Sequence, residues 1–226
     1  MRKAILIIFS ALLLLTSCAT SRFTDEEART VLVQTFSSVV ESTYANIKDD
    51  SLPSQVLLPI SLESLVETRS SIPGLSSRLA DYEAYASSII PIAFSDLSAK
   101  ILSLADGLDL SSPRALVLSS SSSMTELFKK TYYEDLLEWA GENLRSLGLE
   151  SAFTPALEIY NNYITLKAAA YSSSAAKIEV DICRDLADSF LQLCFSELAS
   201  EETFVRTTPA VTNDAVMRKV FSLKLS

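Results

Sequence analysis

The sequence predicts an all-α protein, a single irregular multi-helix bundle built around one long central helix at about residues 176–206. Apolar residues recur at steps of three and four along most of the chain, as in Leu75, Leu79, Tyr82 and Ala86. No segment sustains the alternation of apolar and polar residues that is typical of a half-buried strand. In the long pattern near the C-terminus, apolar residues cover roughly half of a helical wheel. Such a helix contacts several others, and we place it at the centre of the fold.

The composition excludes several classes of function. The 226 residues include 19 basic and 28 acidic side chains, only 4 Gly and no His, so the formal net charge is -9. Without histidine there is no Ser-His-Asp relay and no His-bearing metal site, and we expect no metal and no cofactor. The isolated glycines do not form a phosphate-binding loop. The chain has no cluster of Lys and Arg, which argues against nucleic acid as a partner.

The N-terminus predicts export. Met1-Arg2-Lys3 is followed by an apolar run from Ala4 to Leu15, which is shorter than the roughly 20 residues of a membrane-spanning helix. The run ends in Leu15-Thr16-Ser17-Cys18, which resembles the lipobox of bacterial lipoproteins. That resemblance implies cleavage before Cys18 and lipid acylation of Cys18. The alternatives are a plain signal peptide with an incidental cysteine, or an uncleaved anchor.

Three segments follow from this interpretation: a lipoprotein signal peptide (1–17), a lipidated tether (18–23) and an all-helical domain (24–226). The six tether residues span at most about 20 Å, so the domain lies close to the membrane. The expected location is the periplasmic side of the inner or outer membrane of the cell envelope. Ala19 slightly favours the outer membrane under the sorting rule of enteric bacteria.

Capping residues and helix breakers predict the helix boundaries. Thr24-Asp25-Glu26-Glu27 is a capping box that begins the first helix, which ends at Asp49-Asp50. The remaining expectations, in chain order, are a linker at 50–60, a short helix from Ser61 to Arg69, a turn at Pro73-Gly74, a break near Ile90 caused by Pro91, a stop at Asp106-Gly107, and a brief helix from Ser112-Pro113 to Leu118.

The second half of the chain is divided in the same way. Ser119 to Ser123 predict a flexible turn whose last serine caps the next helix, rather than a tract for phosphorylation or glycosylation. That helix stops at Gly148, and Thr154-Pro155 starts another. The central helix ends at Thr207-Thr208-Pro209, and a last helix begins at Asn213 and runs through Phe221.

Four segments together resemble a bacterial envelope lipoprotein family of unknown function, domain of unknown function 4197. They are Leu58-Pro59-Ile60-Ser61-Leu62, Met124 to Thr131, Glu201-Glu202 with Arg206 and Pro209, and Met217 to Phe221. Two departures are visible. The serine run replaces a turn rich in Gly and Asp, and the segment from Asp81 to Ser88 lacks the family's Asn-Arg-Ala-Ala character. The resemblance implies a helical fold and an envelope location, and it assigns no reaction.

Two groups of residues on the central helix are candidate sites. Cys183 and Cys194 lie eleven residues apart, about 16 Å along a helix, so they cannot form a disulfide with each other. We interpret them as two buried apolar side chains rather than a redox or metal pair. Glu197 falls on the apolar arc, where a carboxylate must pair or protonate. It is either a general acid or ligand carboxylate, or the partner of Arg184, Arg206 or Arg218 in a structural ion pair.

Two further groups are weaker candidates. Glu202 and Arg206 are spaced for a surface pair within one helix, and we retain both as candidates for a ligand contact or an ion pair. Tyr132, Tyr133 and Trp139 either line a pocket or, as is more usual at this spacing, belong to the core.

Three hypotheses for function remain. The first is a membrane-anchored, non-enzymatic helical module that binds another envelope component, a protein or a lipid. The second is a carrier that binds a lipid or a small hydrophobic ligand inside the bundle. The third is a hydrolase without histidine that uses two converging carboxylates. No sequence motif supports a reaction, so we favour a protein that is not an enzyme.

Overall fold

The computed structural model describes residues 23–49, 53–171, 177–212 and 214–222. The prediction of an all-α bundle is confirmed: these residues form helices and no strand. In chain order the helices are α1 (Asp25–Asp49), α2 (Ser54–Leu57), α3 (Glu63–Thr68), α4 (Leu75–Ala93), α5 (Leu97–Ala105), α6 (Pro113–Leu118), α7 (Ser123–Ser146), α8 (Leu149–Ala170), α9 (Ile182–Thr207) and α10 (Ala215–Ser222), with 3₁₀ turns at Ile60–Leu62 and Pro209–Val211.

The described residues group into two compact units, which we name here and describe separately. The terminal unit contains residues 23–39, 109–126, 199–212 and 214–222. The inner unit contains residues 40–49, 53–108, 127–171 and 177–198. The prediction of one helical domain over 24–226 stays a prediction.

The predicted capping box begins helix α1 in the terminal unit. The backbone N–H of Glu27 donates to the Thr24 hydroxyl at 3.0 Å, and the Thr24 N–H donates to the Glu27 carboxylate at 2.6 Å. The same carboxylate forms an ion pair with Lys219 of α10, with the Lys219 Nζ 2.7 Å from a carboxylate oxygen. These contacts hold the first turn of α1 beside α10. Both helices bury apolar side chains in this unit, among them Leu32, Phe36, Val220 and Phe221.

Helices α4 and α8 pack against each other in the inner unit. Tyr82 and Phe153 meet edge to face, with ring centroids 5.2 Å apart. Gly148, in the left-handed region with φ at 83°, turns the chain from α7 directly into α8. The predicted helix start at Thr154-Pro155 is therefore wrong. Pro155 lies inside α8, and the Thr154 hydroxyl bonds the Glu150 carbonyl instead of capping a new helix.

The helix break predicted near Ile90 lies further along the chain. Helix α4 continues through Pro91 to Ala93, and the chain bends by 45° before α5 begins at Leu97. Side chains of other helices donate hydrogen bonds to the backbone carbonyls at the bend. The Tyr44 hydroxyl donates to the Phe94 carbonyl at 2.6 Å, and the Asn143 amide donates to the Ala93 carbonyl at 3.0 Å. These contacts place the break after Ala93.

The central helix begins later than the predicted residue 176. Helix α9 starts at Ile182 because Asp181 caps it: the Asp181 carboxylate accepts the backbone N–H of Arg184 at 3.1 Å. Residues 177–181, which precede Ile182, are not helical. The Asn161 side chain accepts the Ile178 N–H at 2.9 Å and donates to the Ile178 carbonyl at 3.2 Å, which removes Ile178 from any helical pattern. The predicted end is confirmed at Thr207.

Three smaller boundary predictions are also corrected. The linker predicted at 50–60 contains α2 and the start of a 3₁₀ turn, because Val56 and Leu57 are buried. Ser123 does not cap α7; its hydroxyl donates to the Leu116 carbonyl at 2.7 Å. Asn213 lies outside the described residues, and Asp214 caps α10 by accepting the N–H groups of Val216 and Met217.

No single helix among the described residues is both long enough and apolar enough to cross a bilayer. Helices α4 and α5 meet the criteria of length and composition only when they are taken together, across their bend.

Gly148→Ala should lower the free energy of unfolding by about 1–2 kcal/mol, because alanine is strained in the left-handed conformation that this turn requires. Gly141→Ala is the matched control. Gly141 lies within α7, and a Cβ there meets its nearest neighbour, the Arg184 Cα, at 3.8 Å, an ordinary contact. The control should be neutral or stabilising by up to about 1 kcal/mol. Urea unfolding of both variants measures the difference, and equal destabilisation would contradict it.

Candidate functional site

The structure reverses the predicted roles of the two carboxylates on α9. Glu197, predicted on the apolar arc, is exposed. Glu202, predicted in a surface pair with Arg206, is fully buried together with Arg206, with 0% of either side chain accessible to solvent. The predicted structural ion pair of a buried carboxylate therefore exists, but Glu202 and not Glu197 makes it. Of the other arginines named as partners, Arg184 pairs with Glu134 at 2.8 Å.

The helical wheel placed Glu197 on the wrong face because the buried residues of α9 follow a row that winds around the helix. A residue of α9 is buried at every fourth position, namely at Ile182, Leu186, Phe190, Cys194, Leu198, Glu202 and Arg206. Such a row is inclined to the helix axis, so the buried face turns progressively along the 26 residues of α9. A wheel averaged over the whole helix assigns Glu197 to the face that is buried only near the N-terminal end.

Glu202 binds the start of helix α7 within the terminal unit. One carboxylate oxygen accepts the backbone N–H of Met124 at 3.1 Å, and the other accepts that of Thr125 at 2.9 Å. These N–H groups belong to the first turn of α7, where they have no partner within the helix. A carboxylate satisfies them, and its negative charge is favourable at the positive end of the helix dipole.

Arg206 completes the network on its other side. Its Nη2 lies 2.6 Å from a Glu202 carboxylate oxygen. Its Nη1 donates to the Ser123 hydroxyl at 2.9 Å and to the Ser120 carbonyl at 3.1 Å. The guanidinium lies 5.5 Å from the centre of the Phe221 ring of α10, within the range of a cation–π contact. Burial lowers the pKa of the Arg206 guanidinium, and the charge of Glu202 opposes that effect.

This network joins three parts of the chain that are distant in sequence. We call Glu202 and Arg206, with the groups that they bind at residues 120–125 and at Phe221, the buried clamp. Both charged groups are shielded from solvent, so neither contacts a dissolved substrate in this conformation. The chemistry that the arrangement performs is structural: it holds the first turn of α7 and the C-terminal helix against the end of α9.

Residues of the buried clamp lie in the segments that carry the proposed family resemblance, although the helical patterns did not identify them. Of the four segments that carry the family resemblance, three contribute to the buried clamp: Met124 with Thr125, Glu202 with Arg206, and Phe221. The backbone N–H groups of Met124 and Thr125 could not be identified from side-chain chemistry. The serine run was the indirect sign, because it places a turn before α7 and leaves its first N–H groups available to Glu202.

The remaining candidates are structural where the structure describes them. Cys183 and Cys194 are free and buried, as predicted, and burial raises the pKa of the Cys194 thiol to about 12. Tyr133 is half-buried and its hydroxyl donates to the Asp188 carboxylate at 2.6 Å. Tyr132 and Trp139 are half-buried, and their rings pack against those of Phe128 and Phe94. The three candidate aromatic residues therefore pack at the edge of the core and stay partly exposed. Cys18, the predicted lipidation site, lies outside the described residues.

A cleft in the inner unit is a second candidate site. It is small, with about 10 Å³ of space, which is roughly the room that one water molecule needs. Its walls come from helices α1, α5 and α9 and consist of Val40, Thr43, Tyr44, Ile47, Leu97, Ser98, Ile101, Cys194 and Leu198. The lining contains no Asp or Glu, so this cleft does not provide the two converging carboxylates that a hydrolase without histidine requires.

Comparison with protein-family models, with curated proteins and with solved structures finds no match for this chain. Within the described residues, no group of three or more His, Cys, Asp or Glu side chains is placed to hold a metal ion.

Glu202→Gln should lower the free energy of unfolding by about 3 kcal/mol or more, because it leaves the Arg206 charge buried without its counter-ion. Glu197→Gln, on the exposed face of the same helix, is the matched control and should change stability by less than about 0.5 kcal/mol. Denaturant unfolding at neutral pH measures both.

The double variant Glu202→Gln with Arg206→Met tests the coupling. It should lose less stability than the sum of the two single variants, since no uncompensated charge stays buried. Additive losses would contradict the assignment of a coupled pair, and so would a Glu202→Gln variant as stable as Glu197→Gln.

Proposed function

We propose that this protein is a lipid-anchored helical module of the bacterial cell envelope that acts by binding or structural support and not by catalysis. The observation that carries the proposal is the complete burial of the Glu202–Arg206 pair. The contacts of this pair hold three segments together. Because both charged groups are shielded from solvent, neither contacts a substrate in this conformation.

The position of the buried clamp supports an anchored function. The terminal unit begins at Phe23, five residues after the proposed lipidation site at Cys18, and it contains the whole clamp. A tether of this length keeps the first turn of α1 within about 20 Å of the membrane. That turn is fixed by its capping box and by the Glu27–Lys219 ion pair. The buried clamp holds three segments of the same unit together. A unit held together in this way near the membrane supports a role in binding or structural support.

The proposed location follows from the sequence. Acylation of Cys18 holds the protein on the periplasmic side of the inner or outer membrane, and Ala19 slightly favours the outer membrane. The proposed partners are the membrane itself, through the lipid, and an envelope protein or lipid that the module binds. Membership of the helical lipoprotein family of unknown function is part of this proposal. Its support is that three of the four resembling segments contribute to the buried clamp.

Intact-mass analysis of the full chain produced in its own envelope should find Cys18 as the first residue, with lipid attached to its sulfur and amino group. Cys18→Ser should keep the leader and carry no lipid, because the acyl acceptor is missing. Leu15 to Ser17 are unchanged in this variant, which makes it a control for export alone. A wild-type chain with the leader attached, or with an unmodified Cys18 thiol, would overturn the anchoring proposal.

Crosslinking in the intact envelope tests the binding role. The wild type should crosslink to a defined envelope protein in a fixed ratio, and Cys18→Ser should lose that product because it lacks the lipid anchor. Native mass spectrometry of the same material distinguishes the carrier function, for which a lipid would be retained at one molecule per chain. If wild type and Cys18→Ser gave the same crosslinks, the role of the anchor in partner binding would be refuted.

A further inference from the structure

The methionine of the last helix has two hydroxyl groups beside its sulfur atom. The Thr212 hydroxyl donates to the Met217 Sδ at 3.5 Å, and the Thr35 hydroxyl of α1 donates to the same sulfur at 3.9 Å. The Thr212 hydroxyl also accepts the backbone N–H of Asp214 at 3.2 Å, which leaves its own proton to point at the sulfur. All of these residues belong to the terminal unit. A thioether is a weak acceptor, so both hydroxyls are poorly satisfied.

The Thr35 hydroxyl gains the least from this arrangement. Thr35 is 2% exposed, so solvent does not supply a better acceptor. The 3.9 Å between its oxygen and the sulfur exceeds the distance of about 2.7 Å at which two oxygens share a hydrogen bond. An oxygen atom bonded to the sulfur would bring a stronger acceptor into that gap.

The methionines of the chain differ in their access to solvent. Met217 is half-buried, on a helix whose neighbouring positions Val216 and Arg218 are exposed. Met124 is 2% exposed, at the start of α7 where its backbone N–H binds Glu202. The third methionine, Met1, belongs to the predicted signal peptide. A dissolved oxidant has to reach the sulfur, so within the helical domain it reaches Met217 first.

We propose that Met217 is a site of oxidation by hydrogen peroxide, and that the Thr35 and Thr212 hydroxyls bind the oxygen of the sulfoxide. A lone pair of the sulfur attacks one peroxide oxygen, and the S–O bond forms as the O–O bond breaks. The leaving hydroxide takes the proton from the oxygen that is now bonded to sulfur, and departs as water. The sulfur loses two electrons and the peroxide gains them.

The modification should leave α10 in its position. Conversion of methionine to its sulfoxide ordinarily disrupts apolar packing, because the new oxygen is polar. At Met217 the new oxygen meets two hydroxyl donors that are already in place. The contact between Arg206 and Phe221, which belongs to the same helix, is therefore kept. This inference goes beyond the anchoring proposal and does not depend on it.

The first test is treatment of the full folded chain with hydrogen peroxide, followed by peptide mass spectrometry. Met217 should gain one oxygen at least about tenfold faster than Met124, because only Met217 is accessible while the chain is folded. Met217→Leu, which is similar in size and has no sulfur, is the matched control. Treated in the same way, it reports any effect of oxidation elsewhere in the chain, including at the buried cysteines.

The second test is thermal unfolding of each variant before and after oxidation. Oxidation should leave the Tm of the wild type unchanged or raise it. It should lower the Tm of Thr35→Val by about 2–4 °C or more, because that variant keeps the shape of the side chain and leaves the sulfoxide oxygen without one donor. Thr35→Ser keeps the hydroxyl and should respond to oxidation like the wild type. The Tm of Met217→Leu should not respond to peroxide.

The proposal is overturned if Met217 resists peroxide, or if Met124 is oxidised as fast as Met217 in the folded chain. It is also overturned if oxidation lowers the Tm of the wild type by as much as that of Thr35→Val, since the hydroxyls would then not bind the sulfoxide. The full chain with Cys18→Ser should be oxidised at Met217 like the wild type. A failure of lipid anchoring and a failure of this site are therefore distinguishable.

Discussion

The terminal unit depends on the neutralisation of one buried charge pair. An isolated carboxylate or guanidinium costs several kcal/mol to bury, and attraction between the two offsets that cost only when further hydrogen bonds complete the site. Glu202 obtains them from the backbone N–H groups of Met124 and Thr125, and Arg206 obtains them from residues 120 and 123. The pair is stable only where helices α7 and α9 hold these positions, so it specifies their register as well as filling space.

The same requirement explains the serine run. Five consecutive serines form a poor helix, because their side chains compete for backbone hydrogen bonds. In the structure that property is useful. Ser120 presents its backbone carbonyl to Arg206, Ser122 bonds the Glu126 carboxylate at 2.6 Å, and Ser123 connects Leu116 to Arg206. The turn therefore supplies acceptors to the guanidinium and also begins the helix whose N–H groups bind Glu202.

Much of the fold was predictable from local signals, and the site was not. The capping box at Thr24, the turn at Gly74 and the stop at Asp106 act within a few residues, and the structure has them where the sequence predicts them. The break after Ala93 and the start of α9 at Ile182 depend on Asn143 and Asn161, whose partners are distant in sequence. Glu197 was misplaced because a helical wheel assumes a straight buried stripe, whereas α9 buries an inclined row. The regular spacing of four from Ile182 to Arg206 was visible in the sequence and was the better guide.

The contacts of the buried clamp decide what it does. Both oxygens of Glu202 accept backbone N–H groups of the chain itself. The Arg206 Nη1 donates to the Ser120 carbonyl and the Ser123 hydroxyl, and its Nη2 pairs with the Glu202 carboxylate at 2.6 Å, whereas its Nε makes no hydrogen bond to a described residue. A ligand would have to displace the contacts that are made, and in a buried setting their loss is costly. The buried clamp therefore acts on the fold, and its charge pair holds the start of α7 to the end of α9.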